Sequence, residues 1–202
     1  MDMNKQTDPQ SRADEDKEER KGRPYAEALD WTEALVFSLV VIILVFSFFV
    51  RIITVDGQSM ERTLHTSDKV VLTTIGYEPE YGDIVVVNMP NWIDRPFIKR
   101  IIATGGQSVD IDFSSGRVIV DGQMLNEPYI NDIIREDVYQ QLDFPLVVPE
   151  GTVFVMGDNR NASTDSRSAL VGCVDKRYVM GKAQFRIFPL NSLGSIYKNM
   201  DW

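Results

Sequence analysis

Seventeen consecutive residues, Ala34 to Val50 (ALVFSLVVIILVFSFFV), carry no charge, no proline and no glycine, and two serines are their only polar groups. At 1.5 Å per residue a helix of that length covers roughly 25 Å, and Leu29 to Trp31 extend it towards the ~30 Å hydrocarbon core of a bilayer. Trp31 stands where an interfacial aromatic belongs. A cleaved leader would have a shorter apolar core and a small-residue cleavage pattern, whereas Arg51 follows this run directly. A buried core helix would need an apolar partner helix, and the sequence offers none. The run is therefore read as one retained membrane-spanning helix over 29–51, and it divides the chain into a tail over 1–28 and a body over 52–202.

The tail is dense in both charges, as in Asp14-Glu15-Asp16-Lys17-Glu18-Glu19-Arg20-Lys21, with almost nothing apolar to bury. It is read as disordered. Lys17, Arg20, Lys21 and Arg23 precede the apolar run, against Arg51, Arg62 and Lys69 after it. That bias places the tail in the cytoplasm and the body outside the cell membrane.

Composition narrows the chemistry. The net charge is -9 and no basic stripe appears, so nucleic acid is not an expected partner. Cys173 is the one cysteine, which excludes an intramolecular disulfide and a cysteine metal cluster. His65 is the one histidine, which excludes a two-histidine zinc site and leaves a Ser-His-Asp triad hanging on a single residue. Chemistry at neutral pH needs another base, and neither metal nor cofactor is expected.

After residue 51 the texture is that of short strands. Lys69-Val70-Val71-Leu72, Asp83 to Val87, Arg117 to Val120 and Thr152 to Met156 are β-branched runs broken by turn residues, and Asp121-Gly122 predicts a hairpin. With no long helical period, the body is predicted to be mainly β.

Three stretches carry candidate chemistry. In Val55-Asp56-Gly57-Gln58-Ser59-Met60, Ser59 is either a turn serine or a nucleophile held just above the membrane. In Phe97 to Ala103, strand alternation puts Phe97, Lys99, Ile101 and Ala103 on one face. A lysine there either snorkels to water or is desolvated, and desolvation lowers its pKa towards that of a usable base. Arg100 faces the other way, towards solvent or a salt bridge. In Gly157 to Arg167 (GDNRNASTDSR), short polar side chains crowd a loop that follows a strand. Alone it is a surface loop closed by an Asp165–Arg167 pair. Beside the other two stretches it is the scaffold of a site.

Taken in order behind one apolar anchor, GQSMERTL, YGDIVVV, FIKRIIATGG and GDNRNASTDSR resemble the bacterial type I signal peptidases, membrane-bound Ser/Lys endopeptidases, in their short Gram-positive form. The resemblance runs over about residues 31–190. It implies a β-rich catalytic core with a small β extension, here 109–146, preceded by one transmembrane helix. It implies Ser59 as nucleophile and Lys99 as general base, with signal peptides of secreted preproteins as substrate and the lipid bilayer as a further partner. Ser163 matches the hydroxyl that orients the base, Asp165 and Arg167 the pair that holds the site together, and Arg100 the arginine after the base. Val55, Met60, Leu64, Phe97 and Ile98 fall where the family lines pockets for small side chains. Two positions depart from the pattern: Arg62 replaces a common proline, and Gly57 replaces a serine that in some members serves the oxyanion hole. His65 matches no role. A self-cleaving repressor and a non-catalytic membrane-anchored binding protein are the alternatives, the first disfavoured by the apolar anchor and by the lack of a helix-turn-helix pattern.

Overall fold

The computed structural model describes residue 25 and residues 27–44, 50–89, 95–135 and 140–198. Two compact units divide at Phe48/Phe49.

In the first unit, residues 27–44 are helical. Apolar side chains such as Leu35, Phe37, Ile42 and Leu44 are exposed along it. Among the described residues no helix is long and apolar enough to cross a membrane. Glu27, Asp30 and Glu33 occupy its first two turns, and residues 45–49, which complete the apolar run, lie outside the described residues. So does most of the stretch read as a tail.

The second unit is built almost entirely of antiparallel strands, which bears out the mainly β expectation. Its larger sheet contains β1 (Val50–Thr54), β2 (Lys69–Thr73), β3 (Ile84–Val87), β4 (Phe97–Thr104), β9 (Thr152–Met156), β10 (Val174–Asp175), β11 (Val179–Phe188) and β12 (Gly194–Ser195). The order is β1-β2-β11-β3-β4-β9-β10, with β12 also on β11. The smaller sheet runs β7-β6-β5-β8, from β5 (Ser108–Asp112), β6 (Arg117–Val120), β7 (Gln123–Met124) and β8 (Leu146–Val147). Asp121 and Gly122 link β6 to β7 with φ of 51° and 78°, the paired positive values of a two-residue hairpin turn.

β3 is valine-rich and buried at every position, as a strand covered on both faces must be. One core cluster joins Val70, Leu72, Ile84, Val86 and Ile98 to Val55, Met60 and Leu64, so the loop that carries Ser59 is pinned by its own apolar residues. A second cluster joins Ile102, Ala103, Phe154 and Met156 of the large sheet to Val109, Ile111, Val118 and Val120 of the small one. A third holds Phe97 and Ile101 against Val85, Val87, Val153 and Val155. The expected alternation therefore holds from Phe97 to Ile101 and then fails. Ala103 joins Ile102 in the second cluster because the β4–β9 register slips between Ile101 and Ala103, and a bulge of that kind turns the following side chain to the other face.

β11, the ten-residue strand that pairs with β2, β3 and β12, depends on Gly181. Its φ is +154°, and a β-carbon there would stand 2.5 Å from the Thr73 carbonyl oxygen of the neighbouring strand. Gly181→Ala should therefore cost about 1–3 kcal/mol, the range for overpacking a tight contact. A drop in the urea midpoint at constant slope is the expected result, and an unchanged midpoint would show that β2 and β11 can part at no cost.

Candidate active site

Three segments converge. The turn after β1 presents Ser59, β4 presents Lys99 directly opposite Val85 of β3, and the loop after β9 closes over both. Lys99 Nζ lies 2.7 Å from Ser59 Oγ and donates to the Ile98 carbonyl at 3.1 Å. Lys99 is 4% exposed, and its Nζ sits 5.5 Å from the centre of the Phe97 ring. Burial pulls its pKa down to about 8 from 10.5. The carboxylates of Asp165 and Asp158 push it back up, and the Arg167 guanidinium adds a smaller downward push.

Neither carboxylate touches the lysine, because each is held by an arginine. Arg167 Nε and Nη2 donate to the two oxygens of Asp165 at 2.8 and 3.0 Å, both groups buried. Burial works to raise the Asp165 pKa. The ion pair with Arg167, the Gly157 N–H at 3.0 Å and a smaller pull from the Ser163 hydroxyl outweigh it and hold the carboxyl below its ordinary range. The Asp165–Arg167 pair is thus an interior strut rather than a clasp on the surface. Arg167 Nη2 also donates to the carbonyls of Arg160 and Ser163, which ties the loop to itself.

Of the two expectations for Arg100, solvent or a salt bridge, the salt bridge holds: its side chain is wholly buried, paired through Nε and Nη2 with Asp158 at 2.8 and 2.6 Å. Nη1 donates to the Gly82 carbonyl at 2.8 Å, and the guanidinium lies 4.0 Å from the Tyr129 ring centre. Asp158 Oδ2 also accepts from Thr63 Oγ1 at 2.5 Å. Asp158, Thr63 and Tyr129 are therefore part of the support, and sequence reasoning did not single them out. So is Gly157: a β-carbon there would stand 2.4 Å from Ser163 Oγ and 2.5 Å from the Ser59 carbonyl. The Asn159 N–H donates to that same carbonyl at 3.0 Å and fixes the nucleophile turn to the scaffold loop.

A cleft of about 240 Å³ opens in front of Ser59 and Lys99. Val55, Gly57, Met60, Phe97 and Ile98 line it. Leu64 does not; it is fully buried beneath, in the first core cluster. Ser163 is buried, and its Oγ makes no hydrogen bond of good geometry to any group among the described residues. Gly57 has φ +99° with open space where a side chain would stand. The Ser59 N–H meets no acceptor among the described residues. Among them, no cluster of His, Cys, Asp or Glu is arranged to hold a metal ion.

The mainly β fold, with a serine hydroxyl against a buried lysine at its centre, fits a serine-type endopeptidase. Residues 28–188 match the family described as signal peptidase, peptidase S26. The chain is 34% identical to Signal peptidase I of Bacillus licheniformis over 184 residues, covering 87% of this chain and 97% of that one. It is 35% identical to Signal peptidase I S of Bacillus subtilis over 174 residues, covering 82% and 91%. A crystal structure of a signal peptidase I from Enterococcus faecalis aligns at 29% identity and a TM-score of 0.42, over 52% of this chain and 97% of that one. The chain belongs to the signal peptidase family, and its activity is the cleavage of signal peptides by a serine-type endopeptidase. The repressor and the non-catalytic alternatives fall with that membership.

A buried lysine should weaken the fold that carries it. Below pH 8 both folded and unfolded Lys99 bind the proton, so the cost of burying the charge is fully present. Between about 8 and 10.5 the unfolded chain binds more protons, and stability rises with pH. Lys99→Met, similar in length and uncharged, should therefore stabilise the protein at pH 7 by up to about 3 kcal/mol. Chemical unfolding of the full chain should show that gain shrinking through this window. A loss of stability at pH 7 would mean that the folded state accepts the charged lysine without penalty.

Proposed function

We propose that the chain is a membrane-anchored signal peptidase I in which Ser59 is the nucleophile and Lys99 the general base. The 2.7 Å approach of a buried lysine Nζ to the serine Oγ carries this reading. Neutral Lys99 accepts the Ser59 proton as Oγ attacks the carbonyl carbon of the scissile bond. The lysine, now an ammonium, returns the proton to the leaving amine as the C–N bond breaks, leaving an acyl-enzyme. It then accepts a proton from a water that attacks the ester, and Ser59 recovers its own.

The unengaged Ser59 N–H is an oxyanion donor, and with Gly57 in place of a hydroxyl residue it acts without that helper. The buried Ser163 hydroxyl steadies Lys99, as its match to the family's pattern implies, while Asp165–Arg167 and Arg100–Asp158 hold the two catalytic segments in register. A signal peptide lies extended in the cleft, its small side chains directed at Val55, Met60, Phe97 and Ile98. Leu64 backs that wall from the core. The apolar run around residues 34–50 is the single membrane span, the charged tail stays in the cytoplasm, and the β unit works on the outer membrane surface.

Ser59→Ala and Lys99→Arg should both lose cleavage of a purified preprotein while remaining folded. Arginine keeps the charge but cannot release its proton at accessible pH, so it cannot take one from Ser59. Turnover by the Arg variant at about a tenth of wild type or better would remove Lys99 from the role of base.

The pH profile is a separate test. Since burial sets the Lys99 pKa near 8, kcat should climb about tenfold per pH unit below that midpoint and level off above it. A profile that is flat through neutral pH would contradict a titrating lysine.

A further inference from the structure

A second cleft, of about 610 Å³, opens on the other side of the nucleophile turn, and no step of the proteolysis uses it. Arg62, Arg186 and Lys198 line it, together with Ser192, Ser195 and Leu193, and among the described residues no acidic one does. In a chain of net charge -9 a cleft with three cations is unusual. Arg186 is paired with Asp68 at 2.8 Å and also donates to the Ser192 carbonyl. Arg62 and Lys198 have no carboxylate partner among the described residues. Among the described residues Arg62 donates only to the Ile130 carbonyl, at 3.0 Å, and it sits at φ +84°, a strained position for a residue with a β-carbon. Strain of this kind at an unpaired cation points to a use for the side chain.

The surroundings of the cleft supply the rest. Leu193, in its wall, is 63% exposed, and Leu190, outside the wall at the start of the 3-10 turn Leu190–Ser192, is 76% exposed. Cations and hydroxyls inside, with bare leucines at the edge, match an amphiphile whose head is a phosphate and whose body is apolar. A free phosphate would have no use for the leucines.

We propose that this cleft binds the phosphate headgroup of an anionic membrane lipid, with Arg62 and Lys198 as its principal contacts. The site is coupled to the nucleophile turn. Arg186 reaches the Thr63 carbonyl, and the Thr63 hydroxyl is bonded to Asp158. This inference rests on the membrane-anchored reading above.

The test uses the full chain in neutral detergent. Short-chain phosphatidylglycerol, short-chain phosphatidylcholine and inorganic phosphate are titrated separately, and the thermal midpoint is followed. Phosphatidylglycerol should raise the midpoint saturably, phosphatidylcholine should not, and phosphate should need far higher concentrations. The double variant R62G/K198Q removes both unpaired cations, and glycine suits the φ at position 62, so the variant keeps the fold. Its affinity for phosphatidylglycerol should fall by about tenfold or more with two charge-assisted contacts gone. Equal affinity in the double variant would overturn the site. Phosphate binding as tightly as the lipid would overturn the choice of ligand. Preprotein cleavage measured on the same samples separates the two claims: cleavage without lipid binding sinks the site alone, and lipid binding without cleavage sinks the catalytic reading alone.

Discussion

The buried pair of Arg100 and Asp158 is the joint on which the site depends. Asp158 belongs to the scaffold loop, Arg100 follows Lys99 in β4, and Thr63 of the turn that carries Ser59 bonds the same carboxylate. One ion pair therefore touches all three segments that sequence order keeps 40 to 100 residues apart. Both side chains are fully buried, and each remaining donor or acceptor of the pair finds a partner in the Gly82 carbonyl, the Tyr129 ring or Thr63. Removing one member of such a pair leaves a bare charge in the interior, typically at a cost of about 3–5 kcal/mol. The geometry at Ser59 and Lys99 is thus tied to the stability of the core.

The same arrangement settles an electrostatic conflict. A usable lysine base must be neutral near physiological pH, yet Asp158 and Asp165 both favour its charged form. Their oxygens are committed to Arg100 and Arg167, so neither hydrogen-bonds the lysine, and burial remains the largest influence on Lys99. The Phe97 ring, one position away in the alternation, lies 5.5 Å from the amine. The hydroxyl of Ser59 and the carbonyl of Ile98 are the polar partners of its amine.

Much of this was legible in the sequence. The strands around Val70, Val85, Val118 and Phe154 announce themselves by β-branched runs, and Ser59, Lys99 and the Gly157–Arg167 loop stand out once seen together. Other features were hidden for physical reasons. β11 is amphipathic and interrupted by Gly181, so it lacks an apolar run; the alternation of Lys182, Gln184 and Arg186 with Ala183, Phe185 and Ile187 was the available signal. A bulge has no composition of its own, which is why Ala103 was placed on the wrong face. The sequence leaves Arg100 between solvent and a salt bridge because its partner, Asp158, lies 58 residues away. Leu64 looked like a wall of the cleft because sequence proximity to Ser59 does not say which side of the turn is core.

On the proposed reading, what separates this site from a histidine triad is that burial, rather than residue type, brings the amine of Lys99 towards neutrality. The most direct measurement follows the Lys99 side chain itself, by NMR of the full chain carrying labelled lysine and assigned with the Lys99→Met variant. A titration midpoint near 8 is expected, since burial outweighs the two neighbouring carboxylates. A midpoint at or above 10.5 would mean that the lysine stays charged beside Ser59, and the Ser/Lys mechanism would have no base.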